Sequence, residues 1–171
     1  MTDRQMPEGP FSGGCQCGAI RFHALALRDN PHVCYCRMCQ KATGNLFAAL
    51  VGIRHENLTW TRGKPAEFNS SDQAARGFCP NCGTSLYYRS LGGPHVSMSI
   101  GAFDEPHRIE LWYQMGNEGK HPSLFHLGDI EQTGTTEEAM TDEAVAIRGS
   151  NHQHPDHDTD HWTPRPGGQR Q

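Results

Sequence analysis

Seven cysteines gathered into three clusters limit what this chain of 171 residues can become more than any other feature. They fall as Cys15 and Cys17, then Cys34, Cys36 and Cys39, then Cys79 and Cys82. A structural zinc site is closed by four protein ligands, whereas a catalytic zinc keeps three and leaves one position open. Two, three and two add up to one site of each kind. The competing use of clustered cysteines is a disulfide framework, which needs an oxidising compartment and an even count. The count here is odd, and Met1-Thr2-Asp3-Arg4-Gln5-Met6-Pro7 holds no apolar run of the kind a secretory signal requires. No later window approaches the roughly 20 apolar residues of a membrane span. The expectation is a cytoplasmic protein with reduced thiols and no membrane partner.

Composition bears on what the metal must do. A hydrophobic content of 35% with 8% aromatic residues is lean for a domain held together by its core alone. Binding of a structural zinc has an apparent free energy of about 10–16 kcal/mol in small peptides, comparable to the whole stability of about 5–15 kcal/mol of an ordinary domain. Loss of one closed site therefore threatens the fold. The net charge of -4 gives no general attraction to a phosphate backbone, so no nucleic-acid partner is expected.

Along the chain, residues 1–12 are polar, carry Pro7 and Pro10, and read as a flexible arm. From Gly13 onward, short runs rich in β-formers are separated by Gly, Pro, Asn and Asp, the pattern of a mainly β domain of antiparallel strands. The runs 19–26, 46–52, 58–61, 66–69, 84–89, 96–100 and 109–114 are the predicted strands. Ile20-Arg21-Phe22-His23 alternates well. Residues 36–43 read as a short helical turn stopped at Gly44. The domain is expected to extend to about residue 130, with Ser123-Leu124-Phe125-His126-Leu127 packed on it. A short helix is expected within 131–149, over 137–147. Residues 150–171 have the composition of a disordered tail rich in His and Asp. Its His152, His154, His157 and His161 offer metal donors, at an entropic cost for ordering them.

Phe78-Cys79-Pro80-Asn81-Cys82-Gly83 has the form of a metal knuckle, two thiolates three positions apart on a tight turn with glycine directly after. Amide N–H groups aimed at sulfur in such a turn stabilise the charged thiolate. Gly14-Cys15-Gln16-Cys17-Gly18 offers two more sulfurs, and neither pair closes a tetrahedron alone. Cys34-Tyr35-Cys36-Arg37-Met38-Cys39 supplies three from one segment. In an extended stretch Cys34 and Cys36 share a face, and Cys39 returns from the following turn. Two arrangements satisfy these spacings. In one, the two pairs share a closed zinc and the triplet holds an open one. In the other, two cysteines of the triplet join Cys79 and Cys82, and the rest stay free. His32, His55 and His95 are further donors able to close the second site and make it structural.

The three segments, with the triplet continued as Gln40-Lys41-Ala42-Thr43-Gly44 and the knuckle as Thr84-Ser85-Leu86, resemble the motifs of the glutathione-dependent formaldehyde-activating enzyme (GFA) family, also called the centromere protein V family. The similarity covers roughly residues 11–115. The resemblance implies a β-tent fold of small antiparallel sheets stapled by zinc. It also implies two zinc ions per chain, a structural one at Cys15, Cys17, Cys79 and Cys82 and a catalytic one at Cys34, Cys36 and Cys39. The activity it implies is that of a carbon–sulfur lyase joining a thiol such as glutathione to a small aldehyde such as formaldehyde, giving S-hydroxymethylglutathione. Family membership does not by itself fix a substrate. The chain departs from the pattern after about residue 115, where Gly119-Lys120-His121-Pro122-Ser123-Leu124-Phe125 replaces a tryptophan-containing segment and a Leu-Pro pair. That departure bears on the substrate and not on the metal sites. Arg37 and Lys41 are candidates to attract substrate carboxylates, and Tyr35, Tyr87 and Tyr88 to donate protons. The alternative function is a non-enzymatic zinc module with both metals structural.

Overall fold

The computed structural model describes residues 4–135, 138 and 141–165. The first three residues of the predicted arm, the last six of the predicted tail, position 136, and positions 137, 139 and 140 of the predicted helix lie outside the described residues. The described chain is mainly β, with ten strands and two α-helices. Strands β1 (Phe11–Gly14), β2 (Arg21–Ala24) and β5 (Leu58–Arg62) form a small antiparallel sheet in the order β1-β2-β5. The larger sheet runs β10-β3-β4-β9-β8-β7-β6, from β3 (His32–Cys34), β4 (Ala48–Arg54), β6 (Ala66–Ser71), β7 (Ala74–Phe78), β8 (Ser85–Ser90), β9 (His95–Ser99) and β10 (Tyr113–Met115). Every pairing in it is antiparallel except β10 with β3, which is parallel.

The seven predicted runs all contain or overlap a strand, while β1, β3 and β7 are additional. Each was hidden for a physical reason. In β1, Gly13-Gly14 has little intrinsic β preference. Glycine is required there because a Cβ on Gly13 would lie 2.3 Å from the Ala102 carbonyl oxygen and 2.6 Å from the Phe22 ring. In β7, Ala74-Ala75-Arg76-Gly77 reads as weak β, yet β6 and β8 pair with it on both sides. Strand β3 is only three residues long. By contrast β4 is an unbroken apolar run held between β3 and β9, as expected of a strand covered on both faces.

Both sheets contribute to one buried cluster. Phe22 is fully buried, its ring meeting Phe103 edge-on at 5.2 Å and Trp60 at 5.9 Å. Val51, Ile53, Leu86 and Met98 complete the centre. Arg21, a charged residue of β2, is only 3% exposed. It survives burial because both terminal nitrogens donate to the Asp104 carboxylate, at 2.7 and 2.6 Å, while Nε and Nη2 reach Asp158. A buried charge is tolerated when it is paired and hydrogen-bonded in this way.

Helix α1 (Arg37–Thr43) ends at Gly44, whose φ of 63° is the left-handed conformation a helix stop requires. Helix α2 (Asp142–Gly149) falls within the predicted helical region, and the Thr141 hydroxyl accepts the Ala144 N–H as its N-terminal cap. Two further expectations differ from the structure. Phe125 and Leu127 stand 65% and 55% exposed rather than packed. Residues 151–165, disordered by composition, lie as a strap against the turn between β1 and β2. His154 is 4% exposed, its N–H donates to the Gln16 carbonyl, and the Trp162 indole donates to the Cys17 carbonyl at 2.8 Å. Polar side chains of the body, chiefly Arg62 and Arg21, hold this polar strap where apolar burial alone would not.

Candidate metal centres

Cys15 and Cys17 sit in the β1–β2 turn, and Cys79 and Cys82 in the β7–β8 hairpin. Each sheet thus contributes two sulfurs, and the four lie within 4.8 Å of one another. Cys15 and Cys17 are 3.6 Å apart and Cys17 and Cys79 3.9 Å. These separations are far beyond the roughly 2.05 Å of a disulfide. They match the S···S distance of about 3.8 Å that a tetrahedron with metal–sulfur bonds of about 2.3 Å demands. Donors converge from outside as well. The Ile20 N–H reaches Cys15 at 3.2 Å, the Asn81 amide reaches Cys17 at 3.0 Å and the Thr84 hydroxyl lies 3.1 Å from Cys82. Four clustered thiolates surrounded by N–H and O–H donors fit a zinc ion.

The ionisation of these thiols follows the same environment. Burial pushes Cys15 and Cys79 above the ordinary thiol value. Burial acts on Cys82 too, but the Thr84 hydroxyl and N–H and the Cys17 donors outweigh it and lower this thiol to about 6. A bound divalent cation favours the thiolate form at every ligand.

The second group forms where β3 meets α1. Cys34 closes the strand, Cys36 is the residue before the helix and Cys39 lies in its first turn, so one short segment brings three sulfurs within 4.8 Å of one another. Cys39 is buried against Ala48 and Leu50, while Cys34 and Cys36 are half-buried. Burial, with the neighbouring Cys39 and Cys36, raises Cys34 to about 12. Cys36 is lowered despite its burial, by the Cys39 and Met38 N–H groups and the two companion thiols. The Arg76 guanidinium points Nη2 at Cys39 Sγ, 3.6 Å away. Three thiols and a cationic donor suit a zinc with one position left over.

Among the described residues, the donors converge into these two groups, with no fourth protein ligand in the second. The three histidines that might have closed it are engaged elsewhere. The His32 ring bonds the Asn30 carbonyl and stacks on Tyr113, His55 meets the Gly93 carbonyl, and His95 faces Arg28. The tail histidines join neither group. Tyr35 donates to Gln114 and Tyr87 to Glu67, and Tyr88 lies beside Ser90, so none of the three candidate proton donors is directed at the sulfurs.

Two open depressions adjoin helix α1 and share Arg37 and Lys41. One, of about 450 Å³, is of mixed character, lined also by Gln40, Gly44, Asn45 and Leu46. The other, of about 440 Å³, is mostly apolar, with Met38, Ala42 and Phe68 beneath Arg37, Lys41 and Arg76. Segment 116–120 closes in from another side. A Cβ on Gly116 would lie 2.7 Å from the Cys36 nitrogen, Gln40 donates to the Gly119 carbonyl, and the Lys120 ammonium lies over the Tyr35 ring. Nothing local in the sequence distinguishes Arg76 as a site residue, since its place is set by β7 pairing.

Comparisons with known proteins give the family and the fold. Residues 10–115 match the family described as glutathione-dependent formaldehyde-activating enzyme. A Schizosaccharomyces pombe protein described as an uncharacterized lyase is 28% identical over 113 residues, covering 66% of this chain and 73% of the relative. A Penicillium rubens protein that carries the formaldehyde-activating name provisionally is 27% identical over 132 residues, covering 67% and 68%. The crystal structure of a Rhodobacter sphaeroides protein superposes with a TM-score of 0.51 at 20% identity, over 61% of this chain and 99% of the other, a likeness of fold.

Proposed function

This chain belongs to the glutathione-dependent formaldehyde-activating enzyme family, and on that premise we propose that it is a zinc-dependent carbon–sulfur lyase that adds a thiol such as glutathione to a small aldehyde. The observation that carries the reading is the inequality of the two cysteine groups. Four protein sulfurs meet in one and three in the other, with no further protein donor there among the described residues. That inequality favours a catalytic over a purely structural second site.

In this reading Cys15, Cys17, Cys79 and Cys82 hold the structural zinc, and Cys34, Cys36 and Cys39 hold the catalytic one. Zinc at the triplet supplies an additional coordination position and the positive charge that keeps an incoming thiol ionised at neutral pH. The chain's own groups do the rest. Arg76 donates to Cys39 and offsets the excess negative charge of three thiolates on a divalent cation. Arg37 and Lys41, exposed at the start and end of α1, attract substrate carboxylates. In the addition, the sulfur–carbon bond forms as the carbonyl π bond breaks, and the proton that leaves sulfur ends on the former carbonyl oxygen.

Exchange NMR of glutathione mixed with formaldehyde measures the reaction directly. The zinc-loaded protein is expected to accelerate formation of the hydroxymethyl thioether above the uncatalysed rate, and Cys36→Ser to abolish the acceleration. A zinc-loaded, folded protein that accelerates no thiol–aldehyde pair would refute the proposal.

A further inference from the structure

Across strands β6, β7 and β8, Phe68, Arg76 and Tyr88 are successive cross-strand partners and so project from one face of the sheet. The Arg76 guanidinium lies 5.3 Å from the Tyr88 ring centre, with Nη2 on Cys39. Its Nε is buried and has no hydrogen-bond partner. Other arginines of this chain meet carboxylates: Arg21 with Asp104, Arg89 with Glu67, Arg108 with Glu105. Arg37, Lys41 and Arg76 form no ion pair among the described residues, and no acidic side chain lines the depression they share. Beneath these cations, Phe68 is 64% and Met38 49% exposed. The protein thus presents an uncovered apolar surface among three cations without carboxylate partners, one of which, Arg76, reaches the sulfur triplet through Cys39.

Building on the lyase reading, we propose that this depression is the carbonyl-substrate site. The substrate it takes combines a carboxylate, held by Arg76, with an aryl or branched-alkyl body packed between Met38 and Phe68. Formaldehyde, with a single carbon, leaves that surface wet. Glutathione suits it poorly as well, because its body is peptide amide and leaves the apolar surface of Met38, Ala42 and Phe68 unfilled. The adjoining depression, which shares Arg37 and Lys41 and adds the amides of Gln40 and Asn45, offers hydrogen-bonding groups to a peptide-like thiol. Two substrates thus have two neighbouring hollows on the helix that carries Cys39. A carboxylate on an apolar body gains from charge pairing and apolar burial together, whereas either part alone gains from only one.

Calorimetric titration of the zinc-loaded full chain with 4-methylbenzoate, 4-methylbenzyl alcohol and acetate tests the site apart from turnover. The first is expected to bind at least about tenfold more tightly than the other two. Phe68→Glu, at an exposed position that leaves the core intact, and Arg76→Gln should each remove most of that preference, and Arg76→Lys should restore part of it. Equal binding of the three probes, or an unchanged preference in Phe68→Glu, would overturn the proposal. Turnover with glutathione then separates the two ideas. Turnover of formaldehyde without any preference for 4-carboxybenzaldehyde keeps the lyase reading and overturns the pocket. Higher kcat/KM for 4-carboxybenzaldehyde than for formaldehyde, reduced in Phe68→Glu, supports both.

Discussion

Arg21 shows how far one side chain can depart from its local pattern. It is charged and lies in a strand whose sequence alternates, and it is buried because Asp104 and Asp158, both remote in sequence, come to it. Replacing it removes the partner of a carboxylate that is itself only 7% exposed. Arg21→Met should cost about 3–5 kcal/mol, the usual penalty for leaving a buried charge unpaired. A urea denaturation midpoint measures it, and adding Asp104→Leu should recover much of the loss.

Strand and hairpin properties govern the next scale. Strand β7 is paired on both sides although its sequence is poor in β-formers, and Gly77 shows why small residues belong there. A Cβ at that position would lie 2.2 Å from the Tyr87 ring, whose hydroxyl donates to Glu67. Gly77→Ala should therefore displace Tyr87 and destabilise by about 1–3 kcal/mol, visible in the thermal midpoint and near-ultraviolet dichroism. The two cysteine groups differ in the same structural sense. One ties a turn of the small sheet to a hairpin of the large one, and the other is confined to β3 and α1. Cys79→Ser is expected to lose zinc and unfold, because both sheets lose their staple. Cys36→Ser should lose one zinc equivalent and keep its circular dichroism spectrum. Metal analysis beside far-ultraviolet dichroism checks both, and equal unfolding by the two changes would refute the distinction.

For the molecule as a whole, the strap of residues 151–165 decides how well the closed site is sheltered. His154 fills the space above Gly18, and Trp162 bonds the Cys17 carbonyl. A chain ending at Gly149 is expected to release zinc to a chelator faster, on the order of tenfold, because the strap no longer needs to open first. The strap also carries its own pH dependence. His154 donates through Nδ1 to the Pro155 carbonyl and accepts at Nε2 from Thr159 and Arg62, which is the neutral form. Burial first, then Arg21 and Arg62, hold its pKa below the ordinary 6.5. A depressed pKa means that docking is complete above the unfolded value and weakens as pH falls from 6.5 through the folded one. Asp158 is also lowered, from an ordinary 3.8, since its bonds to His23 and Arg21 outweigh burial, so its loss comes at lower pH. Hydrogen exchange over 151–165 should therefore speed up between about pH 7.5 and about pH 5.5 beyond the intrinsic change.

What the sequence determined alone was the chemistry of its sulfurs and the class of its fold. Cysteine spacing is local covalent information, so the triplet and the two pairs are legible in the chain itself, as are the glycine stop of α1 and the strands rich in β-formers. The tertiary structure decided which pairs meet. Residues far apart in sequence share a site only through sheet pairing, and that pairing sets Cys15 and Cys17 against Cys79 and Cys82. It also chose the neighbours that propensity cannot name: the carboxylates that bury Arg21, the polar strap held over Cys17, and Arg76 at the third cysteine. Each depends on interactions between remote segments, whose free energy appears only when the chain is folded.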